Sequence, residues 1–241
     1  KHSFYLSDSI SFTQKLNNNN YERTFRQSGI DQSFLRYANT YEELLDYELR
    51  LQINSKSMST IGGLELSNPA FNNDRVTGGS YGRETRGVFI QNDFNLSNVK
   101  KVITGMRYDS FQNEHVFSPR FAFLYKYKES IKVRFSSGTG FRIPSFLELY
   151  VDFYNVDNGY VVKGNQFLKP EKSLGSTMNL EYISEKIRIN ALVYQNGFKD
   201  KINSTKKDTT TSIIIYEYKN IDKARYKGIE LFVDYLYSSF T

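Results

Sequence analysis

The sequence is short of the residues that build most active sites. Among its 241 residues there is no cysteine and no tryptophan, and there are two histidines, His2 and His115. Without cysteine there is no disulfide, thiolate metal site or cysteine nucleophile, and two histidines do not build a multi-histidine metal centre. No apolar run approaches the ~18 residues of a transmembrane helix. Transmembrane barrels are not excluded, because their alternating strands have the mean hydropathy of a soluble protein, here −0.55.

Catalytic and nucleic-acid-binding patterns are missing as well. There is no GxSxG, HExxH or P-loop motif, so we expect neither an enzyme nor a cofactor. The net charge of +6 comes from lysines and arginines scattered in ones and twos, which argues against nucleic acid as a partner. Lys1 to Asp8 lack the apolar core of a signal peptide. We therefore expect a removed leader or a chain that begins inside a longer protein.

The chain is rich in tyrosine and phenylalanine, and its apolar residues alternate with polar ones. There are 19 of each aromatic, and both favour strands, while tyrosine also favours membrane–water interfaces. Segments with one apolar and one mainly polar face are 46–53, 87–96, 102–109, 130–135, 174–182, 187–193 and 228–235. A period of two predicts β-strands. Residues 41–48 contain good helix formers, so a helix is the alternative to a strand in that segment.

The connections between these strands alternate in length. Short polar turns are expected near 55–57, 97–99, 127–130 and 184–186, and longer links near 14–40, 68–82, 111–116, 142–172 and 199–217. Asn17–Asn20 and Thr209–Thr211 would be polar loop tips. Short turns on one side and long loops on the other are typical of outer-membrane barrels. We predict an all-β, antiparallel, up-and-down transmembrane β-barrel segment of about ten strands. A soluble sandwich or lipocalin-like barrel is the alternative.

Three stretches carry a more specific pattern. They contain Gly140, Phe141, Arg142 and Pro144 in the first, Gly164, Asn165, Leu168, Pro170 and Glu171 in the second, and Asn220, Ala224, Gly228 and Glu230 in the third. On residues alone, Gly138 and Gly140 relax a strand that leaves the sheet, and Pro144 ends its ladder. Lys223, Arg225 and Lys227 are expected on the lumen-facing surface near the carboxylates of Glu230 and Asp234.

In this order and spacing, the three stretches resemble the barrel of TonB-dependent outer-membrane receptors, over at least residues 83–236. The resemblance implies a barrel of about 22 strands closed by a plug domain, set in outer-membrane lipid. It implies uptake of a scarce nutrient, most often a ferric siderophore, with haem and cobalamin as other ligands. TonB and its inner-membrane energising complex would be partners through the plug. No plug pattern occurs here, so we expect 1–241 to be part of the barrel domain. A porin or adhesin, or a soluble β-sheet binding module, is the alternative.

Candidates for ligand contact come from the longest link and from cations expected in the lumen. Aromatic side chains on an exposed link either bind a ligand or pack locally, and the link 142–172 contains Tyr150, Phe153, Tyr154 and Tyr160. The cations Arg107, Lys132, Arg134 and Arg142 would attract an anionic chelate. The alternative for the cations is pairing with Glu48, Asp109 or carboxylates of the plug.

Two metal-related patterns are weaker. Asp152, Asn155, Asp157 and Asn158 hint at a calcium loop, but their spacing is not that of an EF-hand. His115 is a single candidate for a haem ligand. The sequence therefore favours no resident metal site.

Overall fold

The computed structural model describes residues 1–28, 35–155, 158–207 and 213–235. In chain order the elements are β1 (His2–Ser7), β2 (Ile10–Ser28), β3 (Leu35–Asn54), β4 (Met58–Asn73), β5 (Ser80–Gly82), β6 (Thr85–Ser97), β7 (Lys100–Phe111), β8 (Glu114–Tyr127), β9 (Ile131–Arg142), α1 (Phe146–Tyr150), β10 (Asp152–Asn155), β11 (Tyr160–Lys163), β12 (Glu171–Ile183), β13 (Ile187–Lys207) and β14 (Ile214–Tyr235). In the described part of the chain, no helix has the length and apolar character needed to cross a membrane.

Among the residues that the structure describes, ten long strands form one antiparallel meander, as predicted. They are β2 to β4, β6 to β9 and β12 to β14, and each is 12 to 22 residues long. The small β5 pairs with β4, and β1 pairs with β2 at one edge. At the other edge β11 runs parallel to β14, with β10 outermost. Over the described residues the sheet is open, since no hydrogen-bonded ladder joins β1 to β10.

The apolar face of the sheet is exposed, which is inconsistent with the soluble alternative. Leu64, Met106, Val193 and Leu231 lie on that face and are 52%, 52%, 50% and 68% exposed. A soluble sheet buries such a face against a second layer. A barrel in a bilayer presents it to lipid. The prediction of a transmembrane barrel segment is therefore confirmed.

The strand register assigns residues to the two faces. An inward rung across β9, β12, β13 and β14 consists of Arg134, Asn179, Leu192 and Glu230, and the outward rung beside it of Phe135, Met178, Val193 and Ile229. Side chains alternate along a strand with a period of two. Lys223, Arg225 and Lys227 therefore share the outward face with Ile229, and their predicted lumen-facing position is wrong. Charged residues occupy both odd and even positions along this part of β14, so the sequence pattern did not identify which residues face the lumen.

Several predicted links are shorter than expected because the hairpins continue. β2 and β3 cover most of 14–40, and Asn17–Asn20 lie inside β2, paired with residues of β3, rather than at a loop tip. β13 and β14 likewise cover much of 199–217, while Thr209–Thr211 lie outside the described residues. Cross-strand pairing of polar residues sustains a ladder beyond an apolar belt, so polarity alone placed these links wrongly.

The segment 41–48 is strand, not helix. It lies within β3 and pairs on both sides, with β2 and with β4. The alternation, which continues to Ile53, predicted the strand correctly. The two neighbouring strands satisfy the backbone N–H and C=O groups that a helix would satisfy internally.

Candidate functional site

The link between β9 and β12 folds into a compact structure at the long-link end of the sheet. We call residues 143–155 and 158–170 the cap; it contains α1, β10 and β11. The short helix α1 begins with a capping box, in which the Ser145 hydroxyl accepts from the Glu148 backbone N–H and the Glu148 carboxylate accepts from the Ser145 N–H. These reciprocal bonds satisfy backbone donors that a helix this short leaves unpaired.

The cap is joined to the link that follows β4. Val76 and Val151 form an antiparallel bridge. The Thr77 N–H donates to the Tyr150 carbonyl at 3.0 Å, and the Asp152 N–H donates to the Arg75 carbonyl at 2.7 Å. Strands β6, β7 and β8 lie between β4 and β9 in the sheet. The cap therefore spans these three strands, and at its other end β11 adds to β14.

Two small apolar clusters hold the cap down. The first contains Phe71, Val76 and Phe146, and the second contains Leu149, Leu168 and Ile202. Each cluster joins cap residues to strands or links elsewhere in the chain. The buried hydrophobic residues described here lie mainly in this region, so folding of the cap depends on contacts between distant segments.

Arg142 is the polar centre of the cap. Its guanidinium donates to both Glu148 oxygens (2.8 and 3.0 Å) and to both Glu171 oxygens (2.8 and 3.0 Å). Glu171 also accepts from the Ile202 N–H at 2.6 Å. Burial raises the pKa of Glu148, but hydrogen bonds from Arg142 and Ser145 lower it by more, so the pKa of Glu148 lies below its usual value of 4.5. The last residue of β9, the helix α1 and the first residue of β12 are thereby fixed together.

The second and third sequence stretches meet through two asparagines. Asn165 donates to the Tyr218 carbonyl at 3.0 Å. Asn220 accepts from the Lys169 N–H at 2.8 Å and donates to the Lys169 carbonyl at 2.9 Å. Gly164 packs so closely on α1 that a Cβ would lie 2.6 Å from the Leu149 backbone. The contacts of Asn165 and Asn220 tie the cap to β14.

The remaining motif residues shape strand ends and neighbouring strands. Phe141 stacks on Phe111 with ring centroids 5.7 Å apart, and the Pro144 carbonyl accepts a hydrogen bond from Arg83. Pro170 is buried, and Gly140 lies next to Ser173. On β14, Ala224, Gly228 and Glu230 pair across from Phe198, Tyr194 and Leu192 of β13. β9 ends at Arg142, two residues before Pro144, as predicted. All three stretches therefore make structural contacts, and most of them converge on the cap.

Of the four predicted aromatic residues, three are engaged in packing. Tyr150 stacks on Tyr81 with centroids 3.6 Å apart. Phe153 packs edge-on against Tyr160 at 6.3 Å, and Tyr160 packs against a tyrosine of β14. Tyr154 is 52% exposed and makes a cation–π contact with a neighbouring lysine. Tyr154 is thus the member of this set that is best placed to meet a ligand.

The predicted lumen cations are paired with carboxylates of the barrel itself. Arg107 donates to Asp109 at 2.7 to 3.0 Å and is also paired with Glu65. Arg134 donates to Glu181 at 2.8 Å. Asp109 is 1% exposed, so its neighbour Arg107 compensates a buried charge. These two arginines line the wall of the barrel.

Two further suggestions have specific outcomes. Glu48 pairs with Arg50 on its own strand instead of with a lumen cation of another strand. His115 is exposed and its Nδ1 lies 2.9 Å from the Tyr108 hydroxyl, on the outward face of the β7–β8 hairpin. This contact engages the His115 ring within the hairpin.

The suggested calcium loop has other bonding partners. Asp152 is ion-paired with Lys163. The hydrogen bond that Lys163 donates to the Asp152 carboxylate raises the pKa of Lys163. Asn155 is buried and accepts from Asn158, and Asp157 lies outside the described residues. Within the described ranges, no group of three or more His, Cys, Asp or Glu side chains is arranged to hold a metal ion.

Sequence reasoning missed one residue of the cap and one residue that packs against it. Phe167 is 91% exposed at the surface of the cap, and a single aromatic among polar residues gave no signal. Arg83 lies 4.9 Å from the Phe146 ring centre and burial lowers the pKa of its guanidinium. Its partner is 63 positions away, so a sequence pattern does not reveal the contact.

Cap stability is expected to depend on pH through Glu148. The pKa of Glu148 is lower in the folded cap than its usual value of 4.5. The ionised Glu148 therefore stabilises the cap fully above pH 4.5, and this stabilisation is lost as the pH falls through the folded-state pKa. Amide exchange of the cap, corrected for the intrinsic rate, is expected to be flat between pH 7 and 5 and to accelerate below about pH 4. E148Q should lower protection at pH 7 and flatten this dependence. A cap that loosens already between pH 7 and 5 would contradict this assignment.

Comparisons with known proteins agree with the barrel. A family model described as "TonB dependent receptor-like, beta-barrel" matches residues 1–241. The iron-regulated outer membrane virulence protein of Vibrio cholerae serotype O1 is 32% identical over 117 residues, which are 47% of this chain and 18% of that protein. The vitamin B12 transporter BtuB of Photobacterium profundum is 26% identical over 172 residues, 70% and 27% of the two chains.

Among solved structures, the siderophore receptor PirA from Pseudomonas aeruginosa superposes with a TM-score of 0.69 at 17% identity, over 95% of this chain and 51% of that one. At this identity the likeness shows the fold. The chain spans about a fifth to a quarter of the curated relatives it matches. With the family model covering every residue, the chain belongs to the TonB-dependent receptors of the outer membrane, as part of their β-barrel.

Proposed function

We propose that this chain forms part of the barrel of a receptor that takes up a ferric chelate, most specifically a ferric siderophore. The observation that carries the proposal is the anchored cap, which holds two exposed aromatic side chains, Tyr154 and Phe167, at the long-link end of the barrel. Long links face the outside in this class of barrel. The iron-regulated name of the Vibrio cholerae relative supports iron as the cargo.

Aromatic faces suit the hydrophobic and aromatic parts of a chelate, and cations suit its negative charge. Tyr154 stands beside Lys163, whose ammonium group lies 4.4 Å from the ring centre. Lumen arginines such as Arg107 and Arg134 are neutralised by barrel carboxylates. In this proposal the cap therefore makes the first contact, and the wall supplies a charge-balanced path inward.

Import in this proposal needs energy from the inner membrane through TonB, acting on a plug inside the barrel. A protonophore is then expected to abolish uptake of ⁵⁵Fe-loaded siderophore in cells while leaving surface binding intact. Binding and uptake are both expected to disappear in a strain without the receptor. Uptake that continues with the protonophore, together with open-channel conductance in planar bilayers, would support the passive porin instead.

The aromatic contacts are tested by Y154A and F167A. Each is expected to weaken binding of a ferric catecholate siderophore about 5- to 10-fold, because truncating an exposed aromatic contact costs on the order of 1 kcal/mol or more. F4A is the matched control, since Phe4 is 50% exposed but lies on β1, far from the cap. Equal affinity in all three variants would remove Tyr154 and Phe167 from the binding site.

Cobalamin is the second candidate cargo. The BtuB relative aligns over 70% of this chain, a longer stretch than the iron-regulated relative does. Competition between labelled cobalamin and ferric siderophore on the same cells separates the two. Saturable, receptor-dependent cobalamin binding that ferric siderophore fails to displace would replace the iron proposal.

A further inference from the structure

The chain contains two asparagine–glycine pairs, and the fold places them in different surroundings. Asn158–Gly159 lies in the connection between β10 and β11 of the cap, whereas Asn196–Gly197 lies inside β13. We propose that Asn158 is a site of spontaneous deamidation, a covalent modification that converts it to isoaspartate and aspartate. The change weakens the contact of the cap with β14 as the receptor ages.

Deamidation of an asparagine that precedes glycine consumes water and needs no enzyme. The Gly159 backbone nitrogen attacks the side-chain carbonyl carbon of Asn158, forms a carbon–nitrogen bond and loses its proton, while the side-chain nitrogen leaves as ammonia. Water then opens the resulting cyclic imide at either carbonyl, which gives isoaspartate or aspartate. The net reaction takes up water, releases ammonia and adds a negative charge. Glycine favours the first step because no Cβ shields its backbone nitrogen.

The cap leaves the backbone at Asn158 free to cyclise. Asn158 is exposed, and β11 begins only at Tyr160, so the Asn158–Gly159 pair lies outside the ladder of β10 and β11. Gly159 has a φ of 71°, in the left-handed region that favours glycine. Among the described residues other than its chain neighbours, no heavy atom lies within 4 Å of the place that a Cβ would take at Gly159. The pair can therefore reorient without breaking that ladder.

Asn196–Gly197 has the same local chemistry in a restrained backbone. Both residues pair with β12 on one side and with β14 on the other. In an extended strand the side chains stand out of the sheet, away from the backbone nitrogens that lie in it. Cyclisation at Asn196 therefore requires local opening of two ladders, which costs free energy. We expect Asn196 to react far more slowly than Asn158 in the folded receptor.

The modification falls on a junction that anchors the cap. The Asn158 side chain donates to Asn155 Oδ1 at 2.9 Å, and the buried Asn155 in turn donates to the Tyr160 hydroxyl at 2.9 Å. The carboxylate product has no N–H to donate, so the bond from residue 158 is lost. Isoaspartate also adds a methylene group to the backbone just before Gly159, whose carbonyl accepts from the Ile214 N–H at 2.8 Å. Both effects loosen the attachment of β11 to β14.

The rate of modification is measured on the full-length receptor, purified in detergent and incubated at neutral pH and physiological temperature. Peptide mapping by mass spectrometry gives the deamidated fraction at both asparagines, and an isoaspartate-specific methyltransferase identifies the isoaspartate. Conversion at Asn158 is expected to be at least about 10-fold faster than at Asn196, because only Asn196 requires opening of ladders. Heat-modifiable mobility in gel electrophoresis checks that the receptor stays folded throughout.

The effect on the cap is measured by amide exchange before and after incubation, in the wild type, N158S and N196S. Exchange in 158–170 is expected to accelerate about 5-fold in the converted molecules of the wild type and of N196S, because a buried hydrogen bond is lost. N158S is expected to show no change on incubation. Each variant is compared with its own fresh sample, so any direct effect of the substitution cancels.

Three results would overturn the proposal. One is the absence of conversion at Asn158, and another is equal conversion at Asn158 and Asn196 in the folded receptor, which would show that the fold does not select the site. The third is conversion at Asn158 with unchanged cap exchange, which would show that the modification does not weaken the contact of the cap with β14.

Discussion

Replacing Arg142 by glutamine is expected to loosen the cap by about 2 kcal/mol, which corresponds to roughly 30-fold faster amide exchange in 143–155 and 158–170. The variant removes charge-assisted hydrogen bonds to Glu148 and Glu171. Both carboxylates are mostly shielded, with side chains 15% and 12% exposed. The expected loss is smaller than that for a buried ion pair, because the Arg142 side chain is 45% exposed and its charge is screened by solvent.

Hydrogen-exchange mass spectrometry of the receptor in lipid nanodiscs measures this directly. R134Q is the matched control: Arg134 also donates to a glutamate and an asparagine, but on the barrel wall, away from the cap. R134Q is expected to leave cap exchange unchanged. If R142Q and R134Q give the same cap exchange as the wild type, Arg142 does not hold the cap.

Gly164→Ala is expected to open the cap to a similar or greater degree, by about 1–3 kcal/mol, through a steric effect. A Cβ at this position would lie 2.6 Å from the Leu149 carbonyl carbon and oxygen and from the Tyr150 nitrogen. These are backbone atoms of α1, which do not rotate away as a side-chain tip does. The helix and the strand β11 must therefore separate, and cap exchange should accelerate about 5- to 150-fold.

Gly82→Ala is the control for this variant, because a Cβ there meets its nearest atom, the Pro69 carbonyl oxygen, at 3.8 Å. Gly82 also lies in the region that the cap contacts, at the end of β5. Amide exchange of the cap in G82A should match that of the wild type. A normal cap in G164A would mean that α1 moves without loss of its anchoring contacts.

The strands were predictable because their determinants are local. Alternation over 46–53, 130–135 and 228–235 identifies a strand wherever one face is apolar, and these segments lie within strands except for Ser130, which precedes β9. The ends of the hairpins were predicted less well. Asn17–Asn20 look like a loop by composition, but β3 continues beside them and supplies their hydrogen bonds. Pairing with a distant partner overrides a local preference for turns.

The sequence selected the region of the candidate site and not the contacts within it. The link 142–172 and the residues Arg142, Asn165 and Glu171 stand out together because glycine, proline and charged residues recur there in a specific order. Their partners were not predictable. The bonds of Arg142 to Glu171 and of Asn220 to Lys169 span 29 and 51 positions, and no periodicity links residues so far apart.

By itself, the sequence determined the all-β class, the approximate number of strands, the amphipathic alternation and the family resemblance, since each depends on neighbouring residues or on a fixed order of motifs. The tertiary structure decided which face each charge occupies and which loop residues remain exposed. Lys223 and Arg225 face outward because the register of β13 and β14 fixes the parity of the whole strand. Tyr150 is stacked while Phe167 is exposed because the cap packs against the link after β4, a contact that forms when the intervening strands bring the two links together.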